Sequence, residues 1–487
     1  MPAEVLPGRP GNLTPDQEEK LRQLWNLIFQ VCAVRPDGTA ADVPGDANVA
    51  ADKAESVKGE KPKKKGRSVF SRKGKKDAEG DSVASGLSNG AITPIKDSED
   101  DKYGQIKHFY ETIASQSPES IRATIWSMVK HDHPDALVLR FLRARKWDVE
   151  KALVMLISTM NWRAQEMHVD DDIMKNGEAA AAEAEKGNDA AAAKLSQDFL
   201  AQIRMGKSFL HGVDKNGRPV CVVRVRLHKQ GEQAEESLER YTVYIIETAR
   251  MLLHPPVDTA TIVFDMTGFS MANMDYTPVK FMVKCFEANY PESLGAVLVH
   301  KAPWIFQGIW KIIKGWLDPV VAGKVHFTNN RKDMEEFIAP NHILKELDGD
   351  EDWQYKYLEP VPGENDKMKD TETRDRLLAT REQLYADYEA ATIEWIQTSE
   401  DEQSHKIKAR REAIAAKLRE DYWILDPYLR ARSLYDRTGV LQLGGKLDYY
   451  PKPEEVEIVQ LNGKMASAVV TSAEESSAVD TSADDVD

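Results

Sequence analysis

The chain predicts an α/β fold, in which an all-helical N-terminal part precedes a mostly parallel sheet with helical cover. Three observations carry this. Between about residues 206 and 362, short apolar runs such as Thr261-Ile262-Val263-Phe264-Asp265 alternate with helical stretches, and strands that apolar have no wet face. Before that region, apolar residues recur at helical spacing. Within it, the tryptophan-rich stretch from Trp304 to Leu317 has two unlike faces. At about 100° per residue, Ile305, Phe306, Ile309, Trp310, Ile312, Ile313, Trp316 and Leu317 share one broad arc. Gln307, Gly308, Lys311, Lys314 and Gly315 fill the other, with Trp304 on the polar side at the helix start. Such a helix suits either an ordinary core or the cover of an apolar cavity beside a phospholipid headgroup layer.

The elements follow in order. Thr14 caps a first helix and Pro15 suits its first turn. Its stripe of Leu21, Leu24, Trp25, Ile28, Phe29 and Cys32 docks on its own domain, a membrane or a partner. Residues 36–105 form a linker whose composition predicts disorder. Inside it, the run Lys61 to Lys76 is basic and includes Val69-Phe70 and the serines Ser68 and Ser71. It reads as an anionic-lipid contact released by phosphorylation, as a nuclear import signal, or as a solvated linker.

From about Ile121 the chain reads as helical. Two antiparallel helices meet at Lys146-Trp147, and Asp148 caps the second. Ala179 to Lys194 is an alanine- and glutamate-rich insertion, expected to be helical and peripheral. A turn at Asp214-Lys215-Asn216-Gly217 leads into a strand from Pro219 through Val225 and Leu227. A helix from Tyr241 to Leu253, the strand at Thr261, and a helix capped at Thr277-Pro278 come next. Strands at Ala296–His300 and Lys324–Phe327 flank the tryptophan-rich helix. Beyond Pro362, charged helices at 371–398 and 401–423 predict a helical hairpin ended by Asp426-Pro427, with a short helix within Tyr428–Tyr435. The segments are therefore an N-terminal amphipathic helix (1–35), the linker (36–105), a helical subdomain (106–205), a sheet domain (206–362), a charged helical extension (363–450) and an acidic tail expected to be disordered (451–487). Val456 to Leu461 is a candidate short strand in that tail.

Composition narrows the function. A formal net charge of -15 argues against nucleic acid as a partner. Cys32, Cys221 and Cys285 are scattered in apolar runs, so reduced buried thiols are expected rather than disulfides or a metal site. The N-terminus has no apolar signal core, and no apolar run reaches the roughly 18 residues of a membrane-spanning helix. The expectation is a cytoplasmic protein that touches membranes peripherally. Gly-x-Ser-x-Gly, His-Glu-x-x-His, Walker and dinucleotide patterns are missing, and His211, His300 and His326 stand alone. Neither an enzyme nor a metal or other cofactor is expected.

Five short motifs then occur in order. They are Leu139-Arg140-Phe141-Leu142-Arg143-Ala144-Arg145-Lys146-Trp147-Asp148, Asp265-Met266-Thr267-Gly268, Tyr290-Pro291-Glu292 with Gly295, Ala302-Pro303, and Leu317-Asp318-Pro319. Over about residues 119 to 360 the chain resembles the CRAL-TRIO lipid-binding family, and within it the fungal phosphatidylinositol transfer proteins. The resemblance implies a sheet floor under a hydrophobic lipid pocket, closed by a gate helix at Trp304 to Leu317. It implies headgroup contacts from Arg145, Lys146, Glu292, Asp318 and Lys324. Cations suit a buried phosphodiester, and Glu292 can accept from inositol hydroxyls. The dull alternatives are a helix-end charge for Arg145 and Lys146, and caps for Glu292 and Asp318. Hydroxyl positions of family members that also carry phosphatidylcholine align with Ala260 and Ile262, and a further family threonine aligns with Val321. A second ligand would then be sterol-like or isoprenoid. The implied function is extraction and transfer of one phosphatidylinositol, or its presentation to a lipid kinase, by a monomer in transient contact with membranes. The alternative is a lipid-sensing scaffold that recruits a protein partner through the C-terminal helices.

Overall fold

The computed structural model describes residues 5–35, 101–399 and 402–452. The basic run at 61–76 and the candidate strand at 456–461 lie outside these residues.

Helix α1 (Pro15–Val31) starts at a reciprocal cap between Thr14 and Gln17. Helices α2 (Gln105–Ser115), α3 (Pro118–Val129), α4 (Pro134–Ala144) and α5 (Val149–Asn161) follow, so helix begins well before Ile121. The α1 stripe of Leu21, Leu24, Trp25, Ile28 and Phe29 is buried against α4 and α5, so it docks on its own chain. The alanine-rich insertion differs from expectation. It breaks into α6 (Lys175–Ala184) and α7 (Ala190–Arg204), where the Asp189 carboxylate caps the backbone of Ala191 and Ala192. Its own residues are peripheral as expected, since within 179–194 only Ala181 and Ala193 are buried, and deep burial begins just before it. Glu178, 1% exposed, accepts from Tyr244, Tyr357, Arg437 and the backbone of Leu434. A carboxylate buried that deeply stays only because every lone pair is met.

The sheet has five strands in chain order: β1 (Ser208–Val213), β2 (Pro219–Arg224), β3 (Ala260–Asp265), β4 (Leu294–His300) and β5 (Val325–Thr328). β1 is antiparallel to β2 and the remaining pairs are parallel, as expected of an α/β sheet. The sequence reading missed β1. Its ladder is irregular between Leu210 and Val213, and Gly212 interrupts the pattern at φ 63°. β2 stops at Arg224 instead of running on to Leu227. Arg224 pairs with Asp265, where β3 ends in the Asp265–Gly268 turn, so nothing remains to pair with. The Asn273 amide meets the Arg226 and His228 carbonyls instead.

Alternate strand residues serve opposite faces. Phe209, Val220, Val222, Val263, Ala296 and Leu298 meet the segment around Met334, Ile343 and Leu347. Leu210, Cys221, Ile262 and Val297 meet the end of α8 (Glu235–Met251) and C-terminal aromatics such as Tyr435. Asp275 caps α9 (Tyr276–Lys284), two residues before Thr277. The tryptophan-rich helix, α10 (Phe306–Lys314), is shorter than predicted. Phe306 and Ile309 are buried, whereas Ile305 and Ile312 are exposed. The buried stripe is the narrow i, i+3, i+4, i+7 set, and Ile305 and Ile312 lie about 100° off its centre. Two single turns follow, α11 (Pro319–Ala322) and α12 (Arg331–Met334).

The hairpin α13 (Thr371–Gln397) and α14 (Glu402–Leu429) forms as expected, but α14 passes through Pro427. A proline in the last turn loses one hydrogen bond, and Arg430 and Arg432 on buried Asp426 hold the exit. The hairpin is part of the core. Buried Asp135 of α4 accepts from Trp25, Tyr388 and Arg411, and Glu389 accepts from Arg122 and Trp126. Helix α15 (Leu434–Arg437) is the last α-helix among the described residues. Cys32, Cys221 and Cys285 are free and buried. No helix among the described residues is long and apolar enough to cross a membrane.

Candidate functional site, a basic cavity beside an apolar one

All five residues that the resemblance assigns to a headgroup line one cavity of about 670 Å³. Each arrives from a chain turn at the edge of the sheet. Arg145 and Lys146 leave the end of α4, Glu292 turns into β4, Asp318 opens α11, and Lys324 leads into β5. Lys146 and Glu292 hold φ of 52° and 55°, a conformation L-residues adopt at a cost. The Glu292 turn is fastened from below, where Arg140 donates to the carbonyls of Glu292 and Asp258 at 2.8 and 2.6 Å.

The cavity carries an excess of positive charge. Lys102, Arg143, Arg145, Lys146, Lys280 and Lys324 face three carboxylates, Glu287, Glu292 and Asp318. Lys324 Nζ lies 3.9 Å from Glu292 Oε2. Burial lowers the Lys324 pKa, Glu292 opposes this, and Arg9, Arg218 and Arg143 lower it further. Arg143 is brought down to about 10, first by burial and then by Arg9 and Arg140, against the pull of Asp258. Cations that depress one another in this way favour an anion between them. Asp318 is the exception among the five. It is exposed, and its Oδ1 caps α11 by accepting from Val320 N at 2.7 Å.

A second cavity, about 230 Å³, lies beside the first with an apolar lining. Val283, Phe286, Leu294, Leu317 and Val321 line both, so the two lie side by side and share a wall. Phe306, Trp310, Ile313 and Leu317 form part of the apolar wall. Ile309 packs with Met266 and Val299, and Trp316 lines the basic cavity against Tyr276 and Lys280. Trp304 and Ile305 line neither of the two cavities, and Trp304 is 86% exposed.

Residues 105–158 match the CRAL/TRIO N-terminal domain and residues 203–349 the CRAL/TRIO domain. A CRAL-TRIO domain-containing protein of Schizosaccharomyces pombe is 43% identical over 89% of this chain and 92% of its own length. The chain belongs to the CRAL-TRIO family. The phosphatidylinositol transfer protein CSR1 of Eremothecium gossypii is 39% identical over 91% of this chain and all of its own length, 100%. The Sec14 cytosolic factor of Schizosaccharomyces pombe is 28% identical over 44% of this chain and 74% of its own.

The site of this CRAL-TRIO protein includes residues that sequence reasoning missed. Glu287 Oε2 accepts from Lys102 Nζ and Tyr103 OH, each at 2.7 Å, and its Oε1 accepts from Asp318 N at 2.6 Å. Lys102 also donates to the Trp316 carbonyl. The segment before α2 is thereby clipped to the exit of α10. Burial and Glu287 hold the Tyr103 phenol well above its ordinary pKa. No local pattern signals such contacts, since Lys102 and Glu287 are 185 residues apart. Arg143 was legible, as part of the arginine-rich end of α4. The hydrocarbon side chains of Ile262 and Val321 lie in the apolar wall. Among the described residues, no group of three or more His, Cys, Asp or Glu side chains is placed to hold a metal ion.

Proposed function

We propose that this CRAL-TRIO protein takes up one phosphatidylinositol molecule and transfers it between membranes. The observation that carries the reading is the basic cavity lying directly against the apolar one, with five wall residues in common. That arrangement matches an amphiphile with an anionic head and hydrocarbon tails. The 39% identical relative named a phosphatidylinositol transfer protein supports the same ligand.

In this reading Arg145, Lys146 and Lys324 neutralise the phosphodiester by charge-assisted hydrogen bonds. Glu292 accepts from inositol hydroxyls, and Asp318 chiefly shapes the entrance through its cap. The acyl chains lie against Phe264, Trp310, Ile313 and Val321. Two long chains need more room than the enclosed volume, so α10, which forms a wall, swings outward as the gate. Burial of each CH₂ is worth about 0.8 kcal/mol, so release into water is negligible and exchange takes place at a bilayer. Exposed Trp304, Ile305, Ile312 and Val320 around the gate meet the bilayer, with Lys311 and Lys314 toward anionic headgroups. No bond is made or broken, so the role is that of a carrier on the cytoplasmic face of membranes, able to present its lipid to a kinase.

Ile262 and Val321 favour a sterol-like or isoprenoid lipid over phosphatidylcholine as a second cargo. The scaffold alternative is weakened because large aromatic residues of the hairpin, Tyr388 and Trp395 of α13 and Tyr422 of α14, are internal. The test is transfer of labelled phosphatidylinositol between vesicles, with Lys324→Ala and Glu292→Ala expected to lose most of it while remaining folded. Unchanged transfer by both variants removes those residues from the site.

A further inference from the structure

Part of the apolar cavity is polar, in a region the basic cavity does not share. Lys207, just before β1, is 5% exposed and lines the apolar cavity together with Gln202 and His228. Its ammonium donates to Gln233 Oε1 at 2.6 Å and Gln202 Oε1 at 3.3 Å, and lies 3.5 Å from His228 Nδ1. Amide oxygens are neutral. The imidazole is neutral as well, because burial lowers its pKa and Lys207 lowers it further. His228 Nε2 lies 3.3 Å from Asp275 Oδ2, which places the ring proton on Nε2 and leaves Nδ1 to accept. Asp275 therefore reaches Lys207 only through the ring, and its Oδ1 caps α9 by accepting from Thr277 N. Asp198 is engaged by Lys194 and by the backbone of Ala234. Among the described residues, no carboxylate lies within ion-pair distance of the Lys207 ammonium.

Glu232 and Asp198 act on this ammonium only from beyond contact, and a buried lysine with no carboxylate in contact is costly and uncommon. Burial brings this ammonium down to about 8, close enough to neutrality that it remains largely charged at pH 7. The cavity wall is largely hydrocarbon, from residues such as Val223, Leu238, Phe264, Met266 and Met282, broken by polar side chains such as Ser208, Thr242, Asn273 and Asp275. At about 230 Å³ the cavity has little room for a bulky hydrated headgroup. A neutral alcohol would leave the charge uncompensated. A compact monoanion on a single chain meets both conditions.

We propose that this end of the apolar cavity is a second ligand subsite, which holds the carboxylate of a long-chain fatty acid on Lys207. The inference rests on the reading of the apolar cavity as a lipid chamber, and it adds a charged anchor separate from Lys324. The fatty-acid chain and the acyl chains of phosphatidylinositol would occupy the same volume, so the two ligands compete.

The test uses the full chain and measures direct binding of radiolabelled oleate and oleyl alcohol. The wild-type protein is expected to bind oleate at least 10-fold more tightly than oleyl alcohol. Lys207→Met should bring oleate to the level of the alcohol while alcohol binding persists, which shows that the cavity is intact. Lys207→Arg should keep the preference. Equal affinities for oleate and oleyl alcohol in the wild type, or an unchanged preference in Lys207→Met, would overturn the proposal. If the wild type prefers oleate through Lys207 but moves no phosphatidylinositol, this subsite stands and the phosphatidylinositol reading falls.

Discussion

At the residue scale, the legible part of the site consists of side chains next to a local signal. Arg145 and Lys146 end an arginine-rich helix, Glu292 follows a Tyr-Pro step, and Asp318 precedes a proline, so short motifs were enough to find them. Lys207 had no such signal, because its partners come from α7 and from the loop before α8. A pH measurement addresses it. The folded pKa of Lys207, about 8, lies below its ordinary 10.5 because of burial, so between those values the unfolded chain binds more protons. Stability from this group therefore rises as pH climbs from about 8 to 10.5. The shift corresponds to roughly 3 kcal/mol at most. Lys207→Met should be more stable than the wild type at pH 7 in urea unfolding, with the gap closing by pH 10.5. A gap independent of pH would mean that burial does not shift the pKa of Lys207 between the folded and unfolded states.

At the element scale, helices and central strands were readable because their periodicity is internal, and the errors lie at the ends. β2 stops where its neighbour turns away, and α10 is trimmed to the stripe that finds a core. The clip of Lys102 and Tyr103 on Glu287 binds the exit of α10 to the segment before α2. Glu287→Gln keeps the size of the side chain and weakens two charge-assisted bonds. It should speed phosphatidylinositol exchange several-fold and make the tryptophan fluorescence around Trp316 more accessible to quenchers. Exchange and quenching that match the wild type would show that α10 moves independently of the clip. Trp304, being exposed, should tolerate Trp304→Ala with stability unchanged within about 0.5 kcal/mol, while vesicle association falls.

At the scale of the whole molecule, the sequence separated a charged helical extension from the lipid-binding part, and the structure joins them. The join depends on buried ion pairs such as Arg411 on Asp135 at 2.7 Å, between residues 276 positions apart. Local pattern cannot register a contact of that kind, and the amphipathic weakness of α13 and α14 hid their aromatic core residues. Asp135→Ala leaves Arg411 buried without its counter-charge, and a loss of about 3–5 kcal/mol is expected in denaturant unfolding. Removing residues 365–487 should cause unfolding or aggregation instead of separating lipid transfer from a scaffold role. A stable, monomeric truncation would contradict the shared core of α1, α4 and the hairpin.

The most direct test of the central claim is movement of labelled phosphatidylinositol from donor to acceptor vesicles by the full chain. The wild-type protein is expected to move it well above the spontaneous rate, and the Glu292→Ala, Lys324→Ala double variant to fall close to that rate while keeping its unfolding midpoint. No transfer by the wild type, or full transfer by the double variant, would contradict the account.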